Sequence, residues 1–193
     1  MLKFDEQKQL DSVNGALALR GQIESIVDDI CKKGYRNICW LGIGGTYASC
    51  LQAEIHMKER SGINFYVENA AEYLVTGNRK VGEGTVVIIS SVTGSTSEMV
   101  DGVRKAQEDG AVVIGFVDVA DTKLAKMVDH LISFPLNEQL KFFMTADRFM
   151  YNAGEFDEYN ELYSELEQHL AAALVEVEKS ADELGQRIAQ KHM

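Results

Sequence analysis

The residues best suited to chemistry in this 193-residue chain are the small and hydroxyl-bearing ones of two short segments. The first, residues 42–49, reads Gly42-Ile43-Gly44-Gly45-Thr46-Tyr47-Ala48-Ser49. Three glycines let the backbone turn sharply and approach a ligand closely. A helix opening there offers free N–H groups and a positive dipole end, which suit a phosphate. Thr46 adds a hydroxyl. The second, residues 90–98, reads Ser90-Ser91-Val92-Thr93-Gly94-Ser95-Thr96-Ser97-Glu98, with six hydroxyls in nine residues. Hydroxyls and backbone N–H groups can surround a phosphate without Lys or Arg. One hydroxyl at a helix start is an ordinary cap, but six exceed what capping needs.

Groups able to move a proton are fewer. Glu98 lies beside the second loop, where a first-turn acid or a capping box with Ser95 also accounts for it. Glu138 follows Pro135 at a helix start. Lys123 follows an apolar run and is an amine within reach of the same crevice, or a solvated surface lysine. His56 reads as a mid-helix structural residue, His130 as the start of a strand, and His169 as a solvated helix residue. Cys31, Cys39 and Cys50 lack CxxC spacing and read as inert thiols in a reducing compartment. No His/Cys/Asp/Glu set has metal spacing, so no metal is expected, nor is any cofactor.

These loops need elements to hold them. Apolar, β-rich runs at residues 37–41, 63–67, 85–89, 112–117 and 130–134 alternate with helix-like stretches at 46–60, 70–76, 97–108 and 122–127. Continuous apolar runs suit strands buried on both faces of a parallel sheet. The alternation predicts an α/β fold, a three-layer αβα sandwich with a five-stranded parallel sheet of flavodoxin-like type. Gly34, Gly62, Gly84 and Gly110 read as helix stops. A helical segment at 5–33 precedes this core, and helices at 137–151 and 155–191 follow it. The predicted division is residues 1–35 (helical), 36–135 (binding core) and 136–193 (helices that could bridge to a second unit). Both loops fall at carboxyl ends of strands, where open α/β sheets bind ligands.

The formal net charge is -11, which disfavours nucleic acid. Salt screening lets local dipoles at a loop outweigh that distant charge for one small anion. No leader or membrane-spanning run is read in the sequence, so a cytoplasmic location is expected. A dinucleotide-binding domain is the runner-up. Gly42-x-Gly44 starts its fingerprint and Glu68 closes the second strand, but Tyr47 stands where that fingerprint needs a small residue.

The two loops together resemble the sugar isomerase (SIS) family. Its Gly-x-Gly-[Ser/Thr]-Ser-Tyr-like turn is Gly42-Ile43-Gly44-Gly45-Thr46-Tyr47 here. Its Ser-x-Ser-Gly-x-Thr-x-Glu turn is Ser91-Val92-Thr93-Gly94-Ser95-Thr96-Ser97-Glu98. Lys123-Leu124-Ala125 is a weaker echo. The resemblance implies a sugar phosphate held by Gly44, Gly45, Thr46, Ser91, Val92, Thr93, Gly94, Ser95 and Thr96. Gly45 replaces a hydroxyl residue of the family, and its contact is lost. The sequence looks most like the N-terminal half of a fructosamine-6-phosphate deglycase, or of the isomerase part of glucosamine-6-phosphate synthase. In such enzymes acid–base groups usually come from a second SIS half, with no counterpart here. The resemblance therefore implies a phosphorylated sugar or amino-sugar ligand, deglycase or ketose–aldose isomerase chemistry, and a homo-oligomer or second half as partner. A non-catalytic sugar-phosphate sensor is the alternative.

Overall fold

The computed structural model describes residues 5–191. The sequence readings of the first four and the last two residues lie outside those described. The elements in chain order are α1 (Glu6–Leu17), α2 (Arg20–Lys33), β1 (Asn37–Gly42), α3 (Gly45–Arg60), β2 (Phe65–Asn69), α4 (Ala70–Thr76), β3 (Thr85–Ser91), α5 (Ser97–Glu108), β4 (Val112–Val117), α6 (Lys123–Met127), β5 (His130–Ile132), α7 (Glu138–Asn152) and α8 (Tyr159–Lys191).

All five strands are parallel, in the order β2-β1-β3-β4-β5. Alternate residues of each strand feed two separate cores. Ile38 and Trp40 of β1, Val86 and Ile88 of β3, and Ile114 and Phe116 of β4 face α2, α3 and α7. Cys39 and Leu41, Val87 and Ile89, and Val113 and Val117 face α4, α5 and α6. The sandwich therefore has three layers, as the alternation predicts. Helix α5 shows the logic: Met99, Val100, Val103 and Ala106 form one buried stripe, the period-3.6 pattern.

Several details differ from the sequence reading. The first helical segment divides at Ala18 and Leu19 into α1 and α2. Strand β2 begins two residues later than the apolar run implies, because this edge strand is half-buried along its whole length. The stop of α4 is Gly77, with φ +66°, while Gly84 precedes β3 instead of closing a helix. The dinucleotide-binding alternative is corrected by the topology. That fold has the strand order 3-2-1-4-5-6, whereas the order here is the flavodoxin-like one. Glu68, its proposed ribose reader, accepts a hydrogen bond from Asn78.

Candidate functional site

Strands β1 and β3 are neighbours, so the loops after them open side by side at the carboxyl edge. The loop after β1 turns into α3 at Gly44, with φ +58° and no side-chain cap. The loop after β3 turns into α5 at Thr96, which also makes no side-chain capping bond. By contrast, Asn69 caps α4 and Thr122 caps α6 with their side chains. The two helices that face the crevice thus start without a bond from a cap side chain to their first-turn N–H groups, which makes them suited to an anion.

Between these helix starts lies a cavity of about 250 Å³, lined by Ile43, Gly45, Thr46, Ser90, Ser91, Val92, Thr93, Thr96 and Met99. No lining side chain is ionisable. Of the nine residues expected to hold a phosphate, Gly45, Thr46, Ser91, Val92, Thr93 and Thr96 line it directly. Gly44, Gly94 and Ser95 do not, but they shape the turns. Gly94 has φ +62°, and a Cβ there would sit 2.7 Å from Thr122 Cβ.

The hydroxyls are partly engaged. Thr46 Oγ1 accepts from Ile43 N–H at 3.1 Å and donates to Ile43 O at 2.9 Å, so its hydrogen holds the turn. Ser91 Oγ accepts from Gly94 N–H at 3.0 Å, and Thr93 Oγ1 accepts from Ser95 Oγ at 3.1 Å. In those two bonds the Ser91 and Thr93 oxygens act as acceptors, which leaves their own hydrogens for a ligand.

The three acid–base candidates separate clearly. Glu98 accepts from Ser97 Oγ at 2.9 Å. The backbone amide beside it holds its carboxyl below the usual range, followed by the Ser97 hydroxyl. The capping box with Ser95 does not form, because the cap position is Thr96. Lys123 opens α6 with an exposed side chain. Its neighbours touch the loop instead: Leu124 N–H donates to Gly94 O at 3.4 Å, and the Thr122 side chain packs against Gly94. Glu138, the first residue of α7, accepts a hydrogen bond from Ser90 Oγ. Ser90 lines the cavity, so this carboxylate stands one hydroxyl away from it.

Behind Glu138 lie two groups that sequence reading missed, Asp118 and Lys141, whose charged ends meet at 3.4 Å. Lysine in the first turn of an amphipathic helix reads as solvated, and 23 residues separate the pair. The histidines lie elsewhere. His56 Nε2 meets Asp147 Oδ1 at 2.5 Å, and Asp147 also accepts from Tyr163. His130 lines a cavity of about 220 Å³ at the opposite, amino edge of the sheet. His169 pairs with Glu165 on the surface. Burial pushes the Cys31, Cys39 and Cys50 thiols up, away from the reactive thiolate. Among the described residues no cluster of three or more His, Cys, Asp or Glu is placed to hold a metal, and no helix is long and apolar enough to cross a membrane.

A parallel sheet with two Gly- and hydroxyl-rich helix starts flanking one carboxyl-edge cavity defines a class of open α/β domains. Within that class the profile of the SIS domain matches residues 33–146, more than half of the chain, and the chain belongs to the SIS family. Glutamine–fructose-6-phosphate aminotransferase (isomerizing) of Sulfurisphaera tokodaii is 27% identical over 110 residues, covering 57% of this chain and 18% of that protein. Among solved structures, a Bacillus subtilis protein assigned as a phosphosugar isomerase superposes with a TM-score of 0.77 at 18% identity, covering 92% of this chain and 57% of that one. A Salmonella typhimurium LT2 protein so assigned gives 0.72 at 21% identity, covering 84% and 53%. The C-terminal domain of glucosamine-fructose-6-phosphate aminotransferase from Francisella tularensis gives 0.72 at 13% identity, covering 93% and 56%. The chain spans little more than half the length of these structural relatives and about a fifth of the curated one.

Proposed function

We propose that this chain binds a phosphorylated sugar through the loops at 42–49 and 90–98, and that Glu138 moves a proton between neighbouring sugar carbons. The reaction class is ketose–aldose isomerisation or the deglycation of a fructosamine 6-phosphate. One observation carries the reading: a carboxylate is tied through Ser90 to the wall of a cavity whose other polar groups are hydroxyls and helix-start N–H groups. The phosphate supplies binding and orientation, and a glutamate is a suitable acid–base group for an enolisation. Membership of the SIS family supports the sugar-phosphate ligand. A second unit, from another copy or from a longer chain, is the proposed partner. The lengths of the structural relatives support it.

A binding-only sensor is the second reading, favoured by the absence of any histidine from the cavity lining. Two measurements separate them. Thermal shift with fructose 6-phosphate, glucosamine 6-phosphate and inorganic phosphate tests binding; no stabilisation at millimolar ligand rejects both readings. NMR in D₂O then follows loss of the sugar C1 or C2 proton and release of amine from a fructosamine 6-phosphate. Binding without exchange or release selects the sensor.

A further inference from the structure

Lys141 is 1% exposed, one of the largest fully buried side chains in the protein. Burying an ammonium is costly, and an apolar residue of the same shape is often the more stable choice. Its contacts are specific. Nζ donates to Phe134 O at 2.6 Å and to Asp118 Oδ1 at 3.4 Å. It also lies 6.0 Å from the centre of the Phe116 ring. Asp118 follows β4, and its N–H donates to Ser91 O, at the start of the second loop, at 3.1 Å. Phe134 lies just past β5. One ammonium therefore ties the ends of β4 and β5 to the first turn of α7.

Between Phe134 and Glu138 runs Pro135-Leu136-Asn137. Leu136 has φ +77° and Asn137 φ +49°, the only non-glycine residues with positive φ among those described. Two adjacent residues of this kind cost energy and persist only where their surroundings hold them. Here the holding contacts are Lys141 N–H to Asn137 O at 3.2 Å and Lys141 Nζ to Phe134 O, one at each end of the turn. The turn ends at Glu138, on Ser90. Electrostatics agrees: burial drives the Lys141 pKa down while Asp118 resists, and burial drives the Asp118 pKa up while Lys141 resists.

We propose that Lys141 is a positioning residue for Glu138: by gripping the Phe134 carbonyl and the Asp118 carboxylate together it fixes the left-handed Leu136–Asn137 turn and so sets the Glu138 carboxylate against Ser90. This rests on the reading of Glu138 as the acid–base group. Lysine's length and charge are both used, since the ammonium must reach two acceptors on two strand ends.

The test compares Lys141→Met with the double variant Lys141→Met/Asp118→Asn. The double variant leaves no lone buried charge, so it separates positioning from folding. It is expected to melt cooperatively, to keep its glucosamine 6-phosphate affinity within threefold, and to lose at least tenfold in kcat for proton exchange at unchanged KM. Its crystal structure is expected to show Glu138 withdrawn from Ser90. Glu138 still on Ser90, with kcat within twofold of the parent, overturns the proposal and leaves Lys141 a packing residue. A parent protein without proton exchange would reject the reading of Glu138 instead. The position of Glu138 in the variant structure would then decide the proposal by itself: withdrawn supports it, unmoved overturns it.

Discussion

Gly94→Ala perturbs the second loop at the point where its geometry is least forgiving. Gly94 has φ +62°, and an L-residue there costs about 1–2 kcal/mol. Its new Cβ would also lie 2.7 Å from Thr122 Cβ and 2.9 Å from Thr122 Cγ2. Thr122 must move, yet its Oγ1 caps α6 by accepting from Ala125 N–H at 3.3 Å; losing such a cap costs about 1 kcal/mol. The sum is about 2–3 kcal/mol, or a fall in Tm of roughly 4–12 °C for a chain of this length. Thr122→Gly supplies the control, because a glycine cap costs only a few tenths of a kcal/mol and removes the three atoms nearest the new Cβ. In that background Gly94→Ala should cost only its backbone part, giving a coupling of about 1 kcal/mol in a double-mutant cycle. Urea unfolding of the four proteins measures it. Equal costs in both backgrounds would refute the steric argument, and a cost under about 0.5 kcal/mol would also refute the positive-φ argument.

Three further outcomes are expected. Glu138→Gln should lower kcat for proton exchange by about 10²–10⁴-fold while glucosamine 6-phosphate still binds; a change confined to KM would assign Glu138 to binding. Thr93→Ala and Thr96→Ala should each weaken phosphosugar affinity about ten- to hundredfold, since a hydrogen bond to a charged group contributes about 1.5–3 kcal/mol; calorimetry showing unchanged affinity would place the phosphate elsewhere. Arg148 grips Asp28 with two bonds, of 2.7 and 2.6 Å, and this guanidinium holds the Asp28 carboxyl below its ordinary value of 3.8, helped by Asn152. A lowered carboxylate stabilises above its unfolded pKa and loses that contribution as pH falls through the folded one. Asp28 is 44% exposed, so after screening Asp28→Asn should cost about 1 kcal/mol at pH 7. In melts taken at falling pH the difference should close below about pH 4; a constant difference would assign it to packing.

Much of the fold is legible in the sequence because three strands are buried on both faces. The runs of β1, β3 and β4 carry almost no polar residue and so announce themselves. Strand β2 is an edge: Phe65, Tyr66, Val67, Glu68 and Asn69 are all half-buried, and no clean alternation marks its register. The loops are legible because Gly94 and Gly44 answer a local need for positive φ. What sequence pattern misses is long-range. Ser90 finds Glu138 across 48 residues, and Lys141 finds Asp118 across 23. Neither pairing has a period, and each partner alone has an ordinary local explanation: a helix-start acid, a solvated lysine, a turn aspartate. Thr46 shows the converse: a residue whose local bonds the sequence does not reveal. Its type and place suggest a phosphate donor, but its hydrogen is spent on Ile43 O, inside its own turn.

The chemistry of the cavity wall is compatible with the proposed anion despite a net charge of -11. The lining holds no ionisable side chain, so attraction for the proposed phosphate would come from the open starts of α3 and α5 and from hydroxyls, which act within a few ångströms. The surplus carboxylates act through water and salt, and beyond about 8 Å their repulsion is largely screened at physiological ionic strength. A neutral cradle has a second consequence. An arginine or lysine in the wall would bind phosphate more strongly, but it would also compete with Ser90 for the Glu138 carboxylate. The cation that faces Glu138 is Lys141, and its ammonium is already committed to Asp118 and the Phe134 carbonyl. In the proposed site dipoles would hold the phosphate, Lys141 is engaged elsewhere, and among the described residues the Glu138 carboxylate takes its hydrogen bond from the Ser90 hydroxyl, a partner that a sugar hydroxyl could replace.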